Sequence, residues 1–240
     1  AGCPRLSNLS AKMLKVRRTN NFTTEVFVGG SPTLDVWQNI AENTVAVGAL
    51  RQRFFGSDSN NRPLLSYLGG YGAGYRDSVS IFARGVAQMQ TQASIFNASL
   101  FAVFQPHPNF GSAMEREIFA ECGANVTILS PSGHVETSIL VAASNASSSQ
   151  DSTCGIQSLA VGIPSLYIRA NVSKTSSQNV AVQAGLINEV ESVPAFEKEL
   201  RNMGDAGWKF DPRRLHEAGI PLNATWKISN LLIEKHRQRH

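Results

Sequence analysis

From Pro63 onward the chain alternates short apolar runs with longer segments that gather their apolar residues on one helical face. Leu64-Leu-Ser-Tyr-Leu68, Leu100-Phe-Ala-Val-Phe104, Asn125-Val-Thr-Ile-Leu129 and Ser165-Leu-Tyr-Ile168 read as strands, with Asn145-Ala-Ser-Ser148 a weaker one. Arg76 to Gln92 reads as a helix, because Val79, Phe82, Ala83, Val86 and Met89 fall on one face. Ser112 to Cys122, stopped by Gly123, is the next helix, followed by Val135 to Ala143 and Thr153 to Val161. Strands that are apolar throughout and alternate with helices predict a parallel sheet covered on both faces, an α/β architecture. Beyond Ser177 the pattern is helical, over Asn179 to Gly185, Ala195 to Asn202 and Ala224 to His236, which suggests a C-terminal wrap. The first sixty residues are the least regular. Glu25 to Val28 and Thr44 to Gly48 are short strand candidates, Gly29-Gly-Ser-Pro32 a turn, and Ser57 to Pro63 a loop. The expected organisation is a lead-in over 1–60 that packs on a domain over 61–240.

Composition narrows the setting. A chain of 240 residues can bury a substantial core, and its 42% apolar and 17% charged content is ordinary for a globular protein. No apolar run approaches the ~20 residues that span a bilayer. The net charge is +4. Its two basic clusters, Lys15 to Arg18 and Lys235 to Arg239, are short and near the ends, so they read as solvated termini and not as a nucleic-acid patch. Cys3, Cys122 and Cys154 are too few and too dispersed for a disulfide framework or a zinc site, and no clustered His/Asp/Glu set suggests another metal. Seven Asn-x-Ser/Thr sequons occur, at Asn8, Asn21, Asn97, Asn125, Asn145, Asn171 and Asn223. Asn125 and Asn145 fall in or beside segments read as buried strands, so Asn8, Asn21, Asn171 and Asn223 are the credible glycan acceptors. The sequons point to the secretory pathway or secretion, with the cytoplasm as the alternative.

In an open parallel sheet, ligands bind beyond the carboxyl ends of the strands. That rule brings four pieces to one edge: the Gly69–Gly74 loop, His107, the Ser130–His134 loop and a hydroxyl-rich crest from Ser147 to Thr153. Each has two readings. Gly70 and Gly72 form a tight turn or a phosphate contact. Their G-x-G-x-G spacing, with no acid closing the second strand, departs from the nicotinamide-dinucleotide fingerprint. His107, held between Pro106 and Pro108, is a structural imidazole or a phosphate donor and acid/base group. Ser152 or Thr153 caps the following helix, and the free N–H groups there can also bind an anion, against which Asp151 would compete unless turned away. Gln157 reaches a ribose hydroxyl or is surface. No G-x-S-x-G elbow supports a nucleophilic triad.

The run Ser152-Thr-Cys-Gly-Ile-Gln-Ser-Leu-Ala-Val-Gly-Ile-Pro164 resembles the "S-T-x-x-x-E-A-L-x-x-G-x-P" segment of GT-B fold glycosyltransferases, the UDP-GlcNAc 2-epimerases and the polyol-phosphate transferases. Ile139 to Asn145 is similar to their "l-l-x-a-a-D", Gln105-Pro-His-Pro108 to "x-x-H-P", and Val28 to Asp35 to "x-G-x-P-x-x-D". Ser177-Gln-Asn-Val-Ala181 with Gly185 resembles "D-Q-x-x-N-A". These pieces keep their order from about residue 25 to the C-terminus. The resemblance implies a Rossmann-like C-terminal half that binds a nucleotide sugar and has no cofactor. It places Gly70, Gly72, Ser152 and Thr153 at the diphosphate, and Gln157, Gln178 and Asn179 at ribose or sugar. His107 would be the catalytic candidate, and Ser130 to His134 would lie near the base.

Three acids of the family pattern are neutral here, as Gln157, Ser177 and Asn145. A neutral amide accepts a ribose hydroxyl more weakly than a carboxylate does. The acceptor-binding N-terminal half is absent from the match. Two functions follow. The first is the donor-binding domain of a glycosyl or polyol-phosphate transferase, completed by a partner subunit or by further copies. The second is a secreted, non-catalytic binding or self-assembling protein that reuses the scaffold.

Overall fold

The computed structural model describes residues 30–56, 62–92, 100–130, 135–169 and 179–237. The strand candidate Glu25 to Val28, the sequons at Asn8, Asn21, Asn97 and Asn171, Gln178, and loop residues 131–134 lie outside the described residues.

Six strands form one parallel sheet: β1 (Leu64–Leu68), β2 (Phe101–Gln105), β3 (Val126–Ile128), β4 (Ala146–Ser149), β5 (Ser165–Ile168) and β6 (Asn188–Val190). Their order is β3-β2-β1-β4-β5-β6. The chain therefore moves outward from β1 to β3, then returns to lay β4 on the other side of β1. The gap between the ends of β1 and β4 is a topological switch point, where open α/β sheets hold ligands.

Helices cover both faces, as the alternating pattern predicts. One face carries α3 (Tyr75–Thr91), α4 (Ala113–Glu121) and α8 (Val193–Asp205). Their Phe82, Phe119 and Phe196 pack on Tyr67 and Phe104 of the sheet. The other face carries α1 (Pro32–Ala41), α2 (Thr44–Phe55), α5 (Thr137–Ala143) and α6 (Cys154–Ala160). There Trp37, Leu50 and Leu140 meet Leu64, Leu68 and Val103, while Leu34 and Leu159 meet Tyr167. The alternation of Leu64 and Leu68 against Leu65 and Tyr67 is the period-two rule of a strand buried on both sides. Three further helices, α7 (Val180–Gln183), α9 (Arg213–Glu217) and α10 (Ala224–Arg237), complete the C-terminal part.

Thr44 to Gly48 is not a strand but the first turn of α2. Its β-branched residues look strand-like locally, yet Val45 is 80% exposed and the helix is held by Leu50 and Phe55 further on. Asn43 accepts the Ala46 N–H at 3.2 Å and caps that turn. The sequence pattern also missed α1, which starts on Pro32 and buries Leu34 and Trp37, and the short, polar edge strand β6.

Asp35 ties α1 to α10. Its carboxylate accepts the Ala224 N–H at 3.1 Å and the Thr225 N–H at 2.7 Å, groups left unpaired at a helix start. Burial pushes Asp35 up, but the bonds from Thr225, Ala224 and Asn223 outweigh it and hold the carboxyl below its ordinary value. A depressed folded-state pKa stabilises above the unfolded value near pH ~4 and loses that stability as pH falls through the folded value. Asp35→Ala is therefore expected to cost about 1 kcal/mol at pH 7. Thermal melts should show the gap to the parent closing below the unfolded value.

The serine run needs correction. Ser147, Ser148 and Ser149 are not on a crest: they are the body of β4 and are fully buried. Ser147 Oγ shares hydrogen bonds with Ser158 (2.8 Å) and Ser165 (3.0 Å), and Ser148 Oγ donates to the Ser66 carbonyl at 3.1 Å. The Ser147 and Ser148 hydroxyls are thus satisfied inside the sheet, as buried polar groups usually are. The crest proper begins at Gln150.

Asn145 opens β4 at the opposite end of the sheet. Its Oδ1 accepts the Leu64 N–H at 2.9 Å and an Arg51 N–H at 3.3 Å, and its backbone N–H donates to the Leu64 carbonyl at 2.7 Å. It aligns β1 with β4 and is already engaged there, so it is a poor glycan acceptor. Asn125, by contrast, is exposed just ahead of the half-buried edge strand β3, so the expectation that burial excludes it does not hold.

Candidate functional site

At the switch point lies a cleft of about 500 Å3, lined by Leu68, Gly69, Gly70, Tyr71 and Ala73 after β1, His107 after β2, Ser149 to Thr153 after β4, and Arg169 after β5. Four strand ends thus contribute to one cavity.

The β1 turn is tightly built. Gly69 donates its N–H to the Gln105 carbonyl at 2.8 Å. The position a Cβ would take on Gly69 is only 2.7 Å from the His107 backbone nitrogen, so the close approach of the two loops requires glycine. The Gly70 backbone bonds the Tyr75 hydroxyl, which donates to the buried Glu115 carboxylate at 2.8 Å. Burial pushes the Tyr75 phenol far above its ordinary range, so it remains a donor. Gly72, with φ +103, forms the exposed tip of the turn and does not line the cleft.

His107 is half-buried. The Asn109 N–H donates to its Nδ1 at 3.3 Å, and the Phe110 N–H to its carbonyl at 3.0 Å. The first bond makes Nδ1 the acceptor and leaves Nε2 as the ring's proton carrier.

On the β4 side the hydroxyls divide their work. Ser152 Oγ accepts the Cys154 N–H at 3.2 Å, whereas Thr153 makes no side-chain cap bond. The Ser152 carbonyl accepts the Tyr167 hydroxyl at 2.6 Å. Burial pushes that phenol well above its usual range, so it stays a donor and pins the loop. Gln150 Nε2 donates to the Ala73 carbonyl at 2.6 Å and joins the β1 and β4 loops across the switch point. Asp151 is drawn aside: its Oδ1 accepts from Asn179 Nδ2 at 3.0 Å. Ser149 Oγ, buried at the cleft, has no hydrogen-bond partner among the described residues.

Arg169 supplies the cleft's cation. Its guanidinium pairs with Glu189 of β6 at 2.7 Å, and the two side chains are 16% and 21% exposed. Five N–H donors let an arginine hold this partner and an incoming anion together.

Of the residues expected from sequence, Gly70, His107, Ser152 and Thr153 line the cleft. Gln157 sits one turn into α6 and does not line it, and Asn179 does not line it either but bonds Asp151 at its rim and the Tyr167 hydroxyl behind it, and caps α7 by accepting the Ala181 N–H at 2.9 Å. Arg169 was missed, while Tyr71 and Gln150 were brought to this edge only as members of the Gly69–Gly74 loop and the Ser147–Thr153 crest. A cation closing the apolar run Ser165 to Ile168 was the available signal for Arg169. Among the described residues no His/Cys/Asp/Glu group is arranged to hold a metal ion, and no helix is long and apolar enough to cross a membrane.

No protein-family model and no curated protein matches the chain. Solved structures do. The UDP-GlcNAc 2-epimerase of Neisseria meningitidis, solved bound to UDP-GlcNAc, superposes over 95% of this chain and 58% of its own, with a TM-score of 0.59 and 15% identity. A glycosyltransferase of Rickettsia africae matches 95% of this chain and 61% of its own, at TM-score 0.54 and 13% identity. MurG of Acinetobacter baumannii matches 94% and 62%, at 0.53 and 12%. The fold is a GT-B C-terminal half. This half spans about three fifths of the length of each of those chains. At such identities the likeness establishes the fold alone.

Proposed function

We propose that this GT-B half binds a nucleotide sugar, as the donor domain of a glycosyl or polyol-phosphate transferase, and needs a second half for turnover. The observation that carries the reading is the switch-point cleft with Arg169 at one wall and an unpartnered Ser149 hydroxyl beside it. A diphosphate supplies what that pair lacks, an anion with several acceptor oxygens. His107 Nε2–H and the Ser152 and Thr153 groups would add donors as negative charge develops on the departing diphosphate. Among the described lining residues the sole carboxylate is Asp151, engaged by Asn179, so a base for the acceptor would come from the other half. Water exclusion would also require that half to close over the cleft.

The neutral Gln157, set back from the cleft, weakens the ribose grip that the resemblance implies and keeps the non-catalytic, secreted alternative in play. Asn223, exposed just ahead of α10, and the exposed Asn125 are the described sequons suited to a glycan, and a mass increment at either in material from secreting cells would support that setting.

Calorimetric titration with UDP-, CDP- and GDP-linked sugars tests the proposal. Saturable binding to one of them is expected, weakened in Thr153→Ala and His107→Ala. Silence with all three contradicts it.

A further inference from the structure

An aromatic cluster stands at the mouth of the cleft, where Tyr71 and His107 line it. Tyr71, His107 and Phe110 form a closed triangle of rings, with centroids 5.1 Å apart for Tyr71–His107, 5.3 Å for His107–Phe110 and 5.5 Å for Tyr71–Phe110. Two different loops deliver them, the β1 turn and the β2 turn. Yet Tyr71 is 64% and Phe110 51% exposed. Rings in mutual contact usually form part of a core; these face solvent at the edge of a polar cavity. The β2 side of the cluster is braced by its own turn. The Phe110 N–H is bonded to the His107 carbonyl, the Asn109 N–H to its imidazole, and prolines flank His107 on both sides.

We infer that the Tyr71–His107–Phe110 cluster is a stacking subsite for the sugar ring of the cleft's ligand. This rests on the nucleotide-sugar reading above and adds to it where the sugar sits. Arg169 follows β5 and His107 follows β2, which are three strand spacings apart, roughly 14 Å at the sheet edge. An anion held at Arg169 therefore leaves room for a further group to reach the rings. The Tyr71 and Phe110 planes are tilted by 35° and form a shallow, open surface rather than a parallel slot. The axial C–H groups on one face of a pyranose suit such a surface, whereas a flat base between rings needs a slot. Tyr71 Oη adds a donor and acceptor for a sugar hydroxyl.

The test compares matched ligands on the parent chain and on the Tyr71→Ala/Phe110→Ala variant, whose exposed positions leave folding intact by thermal melt. The pairs are UDP-GlcNAc with UDP, CDP-glucose with CDP, and GDP-mannose with GDP, all by calorimetry. The variant should lose about tenfold in affinity for the sugar-linked member of the bound pair while keeping its affinity for the free diphosphate. An equal loss for both members would mean that the rings hold the base, and no loss for either member would mean that they hold nothing; either overturns the subsite alone. A parent chain that binds no member of any pair overturns the nucleotide reading and the subsite with it.

Discussion

Gly69→Ala should lower the melting temperature by roughly 6–12 °C and remove ligand binding. The added methyl would lie 2.7 Å from the His107 backbone nitrogen and 2.9 Å from the Gln105 carbonyl oxygen. Neither atom can rotate away as a side chain would. The ends of β1 and β2 must part, and the hydrogen bond from Gly69 to Gln105 must stretch with them. Overpacking of this kind costs about 3 kcal/mol, at the upper end of its range, and each kcal/mol moves the midpoint of a domain this size by about 2–4 °C. Moving the β2 turn also moves His107 out of the cleft. Gly70→Ala is the matched control. Its Cβ would meet nothing nearer than the Tyr75 ring at 3.6 Å, an ordinary contact, so its melt should stay within about 1 °C of the parent. Equal melts for the two variants would contradict the close-approach account.

Arg169→Met should weaken nucleotide-sugar binding by about 10- to 100-fold, the worth of a charge-assisted hydrogen bond to a phosphate. The same change leaves Glu189 without its partner in a largely buried setting, so the variant should also lose stability, by about 2 kcal/mol. The two effects can be separated. Adding Glu189→Gln removes the stranded charge and should recover most of the stability, while binding stays lost. Recovery of binding together with stability would mean that Arg169 serves the β5–β6 pairing and not the ligand.

The strands and helices that form the walls of the site were legible because burial on both faces writes itself into the sequence. Leu64 to Leu68 and Ser165 to Ile168 have no polar face to confuse with another element. Thr44 to Gly48 misled because its local β-branched character is overridden by contacts made eleven residues later, at Phe55. The serine run misled for a related reason. Serines are ordinarily exposed, but in β4 they lie under α6, where Ser147 bonds Ser158 of that helix at 2.8 Å. Nothing local announces a hydroxyl network that closes between residues 147, 158 and 165. The strand-end rule brought Ser152, Thr153 and His107 to one edge, and all three line the cleft. It passed over Arg169, whose role depends on which strand ends stand side by side.

The central claim is that the switch-point cleft between β1 and β4 holds a nucleoside diphosphate. Amide chemical-shift mapping of the 26.0 kDa chain during titration with the nucleotide sugar it binds tests this most directly. The account predicts the largest shifts at Gly69, Gly70, Gln150 to Thr153 and Arg169. Shifts centred elsewhere on the sheet edge or on a helical face would contradict it.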